Sequence, residues 1–142
     1  MRKHKGFTLI ELVVVVMILG ILAAVAAPKL LGTSSTASDN GLKETLGVVR
    51  DAIERYTAEH GGTIPDGTSE ATFKAALLPY LRVFPKSPLT NTDTVAIATS
   101  GGTTTPTGAQ AWMYNKVDGT FIVNSAAAIK SDSTATIHYN DL

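Results

Sequence analysis

The sequence predicts an α+β protein: a long N-terminal helix, membrane-spanning in one half and amphipathic in the other, packed on a small C-terminal antiparallel β-sheet. Three observations predict it. From Leu12 to Ala27 no side chain is polar; from Leu42 to Tyr56 apolar residues return at helical spacing; and beyond Ala111 two alternating runs flank an Asp118-Gly119 turn.

The first helix begins after a basic tag, Arg2-Lys3-His4-Lys5, and runs to Pro28. At ~1.5 Å per residue, Phe7 to Ala27 is about 31 Å long, the thickness of a bilayer's hydrocarbon core. Its one charge is Glu11. A carboxylate at the centre of a spanning helix costs about 2.5–3.5 kcal/mol on insertion scales, so it is kept only where it has work to do. Cleavage between Gly6 and Phe7 would place a new ammonium one turn below Glu11, or beside the Glu11 of a neighbouring copy, turning an expensive residue into a pairable one.

The run Lys5-Gly6-Phe7-Thr8-Leu9-Ile10-Glu11-Leu12 resembles the cleavage and methylation signature of type IV pilins and of the pseudopilins of type II secretion. Position by position, the resemblance implies Gly6 as the last leader residue, Phe7 as the first, methylated mature residue, and Glu11, Gly20 and Pro28 as assembly positions of the helix. It also implies a pilin-like fold. Its partners would be other copies of the chain with minor pseudopilins or pilins, a prepilin peptidase, an inner-membrane assembly platform and membrane lipid.

Charge supports export. Formal net charge is +0, with twelve basic and twelve acidic side chains, yet Arg2, Lys3 and Lys5 lie in the leader, so the mature chain would keep nine basic against twelve acidic. No basic field for nucleic acid remains. The N-terminal basic tag puts that end in the cytoplasm by the positive-inside rule, giving a single-pass inner-membrane protein with the remainder in the periplasm or an extracellular filament. The absence of cysteine removes disulfides as a means of stabilising an exported domain.

After Pro28 the composition turns to Gly, Ser, Thr and Asn as far as Gly41. These residues are weak helix formers and leave both a flexible linker and a weakened continuous helix open; the resemblance favours the helix. Leu42, Leu46, Val49, Ile53 and Tyr56 then form one stripe for packing helix against head, while Arg50/Glu54, Asp51/Arg55 and Arg55/Glu59 stand one turn apart. Gly61-Gly62 and Pro65 end the helix. A short helix capped near Thr68 or Ser69 should bury Phe73, Ala76 and Leu77 and stop at Pro79. Tyr80 to Pro88 reads as an extended path, Thr94 to Thr99 as a short strand, Gly101 to Gly108 as an exposed loop, Ala111 to Asn124 as a hairpin, and Thr134 to Tyr139 as a last edge strand. The expected domains are 1–6, leader; 7–28, transmembrane and assembly half of the helix; 29–61, soft segment and amphipathic half; and 62–142, globular head.

No nucleophile elbow, phosphate loop, dinucleotide fingerprint or paired-histidine zinc motif occurs, so no enzyme is expected. His60 reads as a helix C-terminal cation, Trp112 and Tyr114 as hairpin packing. Calcium is the cofactor to consider, because major pseudopilins often hold it beside the C-terminal sheet; Asp118, Asp132 and Asp141 are candidates by chemistry, but Ser87-Pro88-Leu89-Thr90 replaces the family's Asp-Pro-Trp-Gly-like segment. The expectation is no metal. The functional expectation is a filament subunit of the type II secretion pseudopilin type, because Gly61-Gly62-Thr63-Ile64-Pro65 and the Trp112-x-Tyr114 hairpin resemble the helix-to-loop junction and C-terminal sheet of major pseudopilins, and the cysteine pair of many pilus pilins is missing. Its alternatives are a type IV pilus pilin serving adhesion, motility or DNA uptake, and, in another class, a secreted binding domain with a general signal peptide cut near Ala26, in Ala24-Val25-Ala26.

Overall fold

The structure is a computed structural model that describes residues 7–101, 105–132 and 134–142, without the side chains of 30–32. The expected leader with Gly6 therefore lies outside the described residues, as does the middle of the Gly101–Gly108 loop. Two compact units divide the chain, Met1–Ser35 and Thr36–Leu142. Helix α1, Leu9–Glu59, contributes to both.

Within the first unit α1 starts at a Thr-x-x-Glu box. The Thr8 N–H and hydroxyl both donate to Glu11 Oε2, at 3.0 and 2.8 Å, and the Glu11 N–H donates to Thr8 Oγ1 at 3.3 Å. The helix continues through Pro28, whose missing N–H leaves the Ala24 carbonyl without its helical donor. It also continues through the Ser/Thr-rich stretch, where Thr33 Oγ1 bonds back to the Lys29 carbonyl at 2.9 Å, so a side chain joins the backbone in satisfying the helix.

In the second unit Leu42, Leu46, Val49, Ala52 and Ile53 are buried in the core, and Tyr56 packs at its margin. Past Glu59 the chain makes a Schellman turn: Gly61 takes φ 63° and the Gly62 N–H reaches the Thr57 carbonyl at 2.8 Å. Helix α2, Glu70–Leu77, is capped by Ser69, which exchanges bonds with Thr72, and buries Phe73 and Leu77, while Ala76 is half-buried. Gly67 is there because of proximity. A Cβ at this position would stand 2.7 Å from the Lys116 Cβ and 3.0 Å from the Tyr114 ring.

The sheet has three strands in the order β1-β2-β3: β1 Val95–Ala98, β2 Trp112–Asn115 and β3 Phe121–Val123. β2 and β3 form the antiparallel hairpin, with Gly119 at φ 77° in its turn. β1 corrects the expectation of a wholly antiparallel sheet, because it pairs parallel to β2, Val95 opposite Trp112 and Ala98 opposite Asn115. A tight turn enforces an antiparallel return, whereas the long connection 99–111 is free to carry the chain back to the starting end. Trp112, Tyr114, Phe121 and Val123 point into the same core as α1 and α2, where the Phe73 ring stacks on Tyr114 at 4.0 Å between centroids.

The expected last strand is also corrected. Thr134 to Tyr139 makes one isolated antiparallel bridge, Ala128 with His138, and then a 3-10 helix, Tyr139–Asp141. The cause is Asp132. Its carboxylate takes the N–H groups of Thr134, Thr136 and Ile137, each at 2.9 Å, and so consumes the donors a ladder would need. Ala135, between them, sits at φ 53°, outside the strand region.

Candidate functional site

In the first unit every described side chain from Phe7 to Lys29 is exposed. Leu9, Ile10, Val16, Met17, Leu19, Ile21, Leu22 and Val25 each keep more than half of their surface open. An 18-residue window of α1 has mean hydropathy 3.0 and is 0% buried, so the helix is long and apolar enough to cross a membrane. Burying one such side chain gains about 1.5–3 kcal/mol, and no described side chain from Phe7 to Lys29 is buried. The surface is built to be covered by something else.

Glu11 stands in this apolar field as the third residue of the helix, its Oε2 engaged by Thr8. Among the described residues its Oε1 has no hydrogen-bond partner in the chain. One oxygen thus closes the first turn and the other is presented outward. Thr8 was not singled out from the sequence, although Thr8-Leu9-Ile10-Glu11 is the spacing of a capping box. Phe7, next to it, is 75% exposed. At Gly20 a Cβ would meet nothing within 4 Å, so no contact inside the chain demands glycine there. Pro28 lies within α1.

The head-side stripe is placed differently. Leu42, Leu46, Val49 and Ile53 are buried and Tyr56 lies beside Tyr80 in an edge-on contact at 6.1 Å. Arg50 does not pair with Glu54. Its Nε donates to the Phe121 carbonyl at 3.0 Å and its Nη1 to the Leu142 carbonyl at 2.7 Å, which ties the outer strand and the C-terminal segment to α1. Partial burial lowers the Arg50 pKa from its ordinary value. Among the described residues Lys74 pairs with Glu70 and Asp93, and His138 Nδ1 lies 3.5 Å from Asp141 Oδ2; the spaced charges of α1 form no ion pair. His60 holds the helix end with Nδ1 2.8 Å from the Tyr56 carbonyl, its ring stacked on Tyr56 at 3.9 Å.

Sequence reasoning passed over a second residue, Asp39, buried at 1% exposure near the start of the second unit. It accepts the Tyr139 hydroxyl at 2.9 Å and the Ser131 N–H at 2.7 Å. Burial raises its pKa, but Ser131, Tyr139 and the charge of Lys130 outweigh that and leave it lowered. The only signal in the sequence was an acid among Ser and Asn, which reads as a solvated turn. For metals, no three His, Cys, Asp or Glu side chains converge among the described residues. Asp118 is spent on Thr120 N–H and Asn115 Nδ2, and Asp141 on His138 N–H.

A long helix with an uncovered apolar half, begun by a Thr-Glu box, together with a small α+β head, is a pilin-like architecture. Residues 1–27 match the family model of the prokaryotic N-terminal methylation motif. The chain is similar to the fimbrial protein EcpB of Eikenella corrodens, 47% identical over 62 residues, which is 44% of this chain and 38% of that one. It is similar to the type II secretion system core protein G of Vibrio cholerae, 40% identical over 60 residues, 42% of this chain and 41% of that one. A type IV narrow pilus major component of Thermus thermophilus is 40% identical over 60 residues, 42% of this chain and 52% of that one. This chain thus spans only about two-fifths to one-half of the length of these relatives. They are named as components of pili and secretion systems, not as enzymes, and the resemblance drawn from Gly6 to Leu12 is borne out. No solved structure matches the chain.

Proposed function

We propose that this protein is a subunit of a type IV pilus-like filament, of the type II secretion pseudopilin kind: cleaved after Gly6, methylated at Phe7, held in the inner membrane with its N-terminus in the cytoplasm, and polymerised to drive protein export. One observation carries this reading. Glu11 is the lone charge in the apolar stretch from Phe7 to Ala27, whose side chains are all exposed within the chain and which begins immediately after Gly6.

Before assembly lipid covers the helix; in the filament neighbouring copies cover it. Lipid and packed protein are similarly apolar, so the exchange is close to neutral in free energy. The paired ammonium of Phe7 and carboxylate of Glu11 then set which neighbour and which register is accepted, because an unpaired charge in that environment is strongly disfavoured. Minor pseudopilins, a prepilin peptidase and an inner-membrane assembly platform are the partners this requires. Mass spectrometry of the mature N-terminus is the test. Methylated Phe7 supports the filament subunit; an N-terminus at Ala27 overturns it in favour of a secreted binding domain.

A type IV pilus pilin is the second reading, favoured by the similarity to a fimbrial protein and to a narrow pilus component. Deleting the gene separates the two. Loss of exported protein with pili intact supports the pseudopilin, and loss of pili with export intact supports the pilin.

A further inference from the structure

The C-terminal segment is where a pseudopilin-type head would use a calcium ion, and here the side chains do not fit one. Asp132 is the clearest case. A carboxylate offers about four lone-pair positions. Those of Asp132 face five donors: Thr134 N–H and hydroxyl on Oδ1, and Thr136 N–H, Thr136 hydroxyl and Ile137 N–H on Oδ2. A cation approaching these oxygens would meet hydrogens rather than lone pairs. Calcium needs six to eight oxygens turned toward one point. Asp118 and Asp141 are each bonded within their own turns, and among the described residues no three His, Cys, Asp or Glu side chains come together.

The same segment is instead fastened to α1 at two points. Asp39 receives the Ser131 N–H and the Tyr139 hydroxyl, which also accepts the Lys130 N–H at 3.3 Å. Three turns further along α1, Arg50 holds the Leu142 carbonyl. Between these points the segment closes on itself, with the Ile129 N–H on the Ile137 carbonyl at 2.9 Å and the Tyr139 N–H on the Ala127 carbonyl at 3.0 Å. Tyr139 and Ile129 are buried in the core beside the α1 stripe.

We infer that the segment from Ile129 to Leu142 is locked onto α1 by the buried Asp39 carboxylate, with Asp132 shaping the loop, and that this lock replaces a divalent cation. A buried carboxylate held by hydrogen-bond donors on the chain itself does not require a free divalent cation. Calcium would then be neither bound nor needed by the head.

Two measurements on the full processed chain in detergent test this. The first is thermal melting, followed by near-ultraviolet circular dichroism, in millimolar EDTA and then in millimolar CaCl2. The lock predicts midpoints within about 2 °C of each other, whereas a larger rise with calcium overturns it, because a ligand that binds the folded state must raise the midpoint. The second is hydrogen exchange. Asp39→Asn should speed exchange of the Ser131 amide by about tenfold or more while Leu46 and Val49 keep their protection. Unchanged protection at Ser131 overturns the role of Asp39. Should Asp39→Asn not fold, Tyr139→Phe removes only the hydroxyl, and the Lys130 amide that donates to it must then exchange faster; unchanged protection there overturns the Tyr139 side of the lock. Neither outcome depends on whether the chain forms filaments.

Discussion

The two units of this chain solve opposite problems with the same helix. From Leu9 to Lys29, α1 carries a long apolar surface whose side chains are all exposed; from Thr36 to Glu59 it carries a narrow stripe and buries nearly all of it. The head satisfies its own polar groups as well, since no described buried side-chain nitrogen or oxygen lacks a hydrogen-bond partner. The first unit therefore leaves its described apolar surface uncovered, while the second buries its own. Substitutions should divide the same way: in the first unit they act on assembly, in the second on folding.

The largest effect is expected at Glu11. Glu11→Ala should still be cleaved but form few or no filaments by electron microscopy, and normal filaments would remove the charge-pairing role. Glu11→Gln sharpens this, because glutamine also serves in a capping box but carries no charge. If the charge sets the register, both variants fail; if Glu11 acts only by holding Thr8, Glu11→Gln assembles like the parent.

Next in size is the head core. Trp112 is fully buried, with its Nε1 bonded to the Pro85 carbonyl at 3.2 Å and its ring 5.5 Å from Phe121. Trp112→Ala should cost about 3–5 kcal/mol of unfolding free energy, measured by denaturant titration. It should leave the proposed cleavage after Gly6 unchanged, since that position belongs to the other unit.

A smaller effect is expected from acid. The pKa of Asp39 is lowered by Ser131, Tyr139 and Lys130 against its burial, and that of Asp132 by the Thr134 hydroxyl and the N–H groups of Ile137, Thr134 and Thr136. For a carboxyl whose folded pKa lies below its unfolded one, the stabilisation is whole above the unfolded value, 3.8, and is lost as pH falls through the folded value. The melting midpoint of the head should thus be flat from neutrality to about pH 5 and fall below about pH 4. Asp39→Asn should reduce that fall.

The legible parts of this molecule were those set by local spacing. The apolar run, the four-three-four-three stripe from Leu42 to Tyr56 and the Asp118-Gly119 hairpin each declare themselves within a few residues. The parallel pairing of β1 does not, because nothing in Val95–Ala98 records which way a distant strand will run. Asp39 was illegible for the same reason: its partners Ser131 and Tyr139 lie 92 and 100 residues away. Thr134 to Tyr139 misled because its alternation is real, but Asp132 captures the backbone donors first. At the functional end Glu11 was legible as an oddity. Thr8 was legible as its partner, and only the strength of the apolar pattern drew attention away from it.

Gly20 gives the smallest effect and the finest division between the units. Its absent Cβ would meet no atom within 4 Å inside the chain, so Gly20→Ala should leave the melting midpoint of the head unchanged, to within about 1 °C. Alanine is in fact the better helix former, by about 1 kcal/mol in an exposed helix. A filament reads the position differently. Close helix–helix packing favours residues small enough to let backbones approach, and each added atom at such a contact pushes the neighbours apart. Gly20→Leu should therefore lower filament yield while leaving head stability, cleavage and membrane insertion as they were. Equal yields for Gly20, Gly20→Ala and Gly20→Leu would show that this face of α1 meets only lipid, and would confine the assembly contacts of the helix to its other faces.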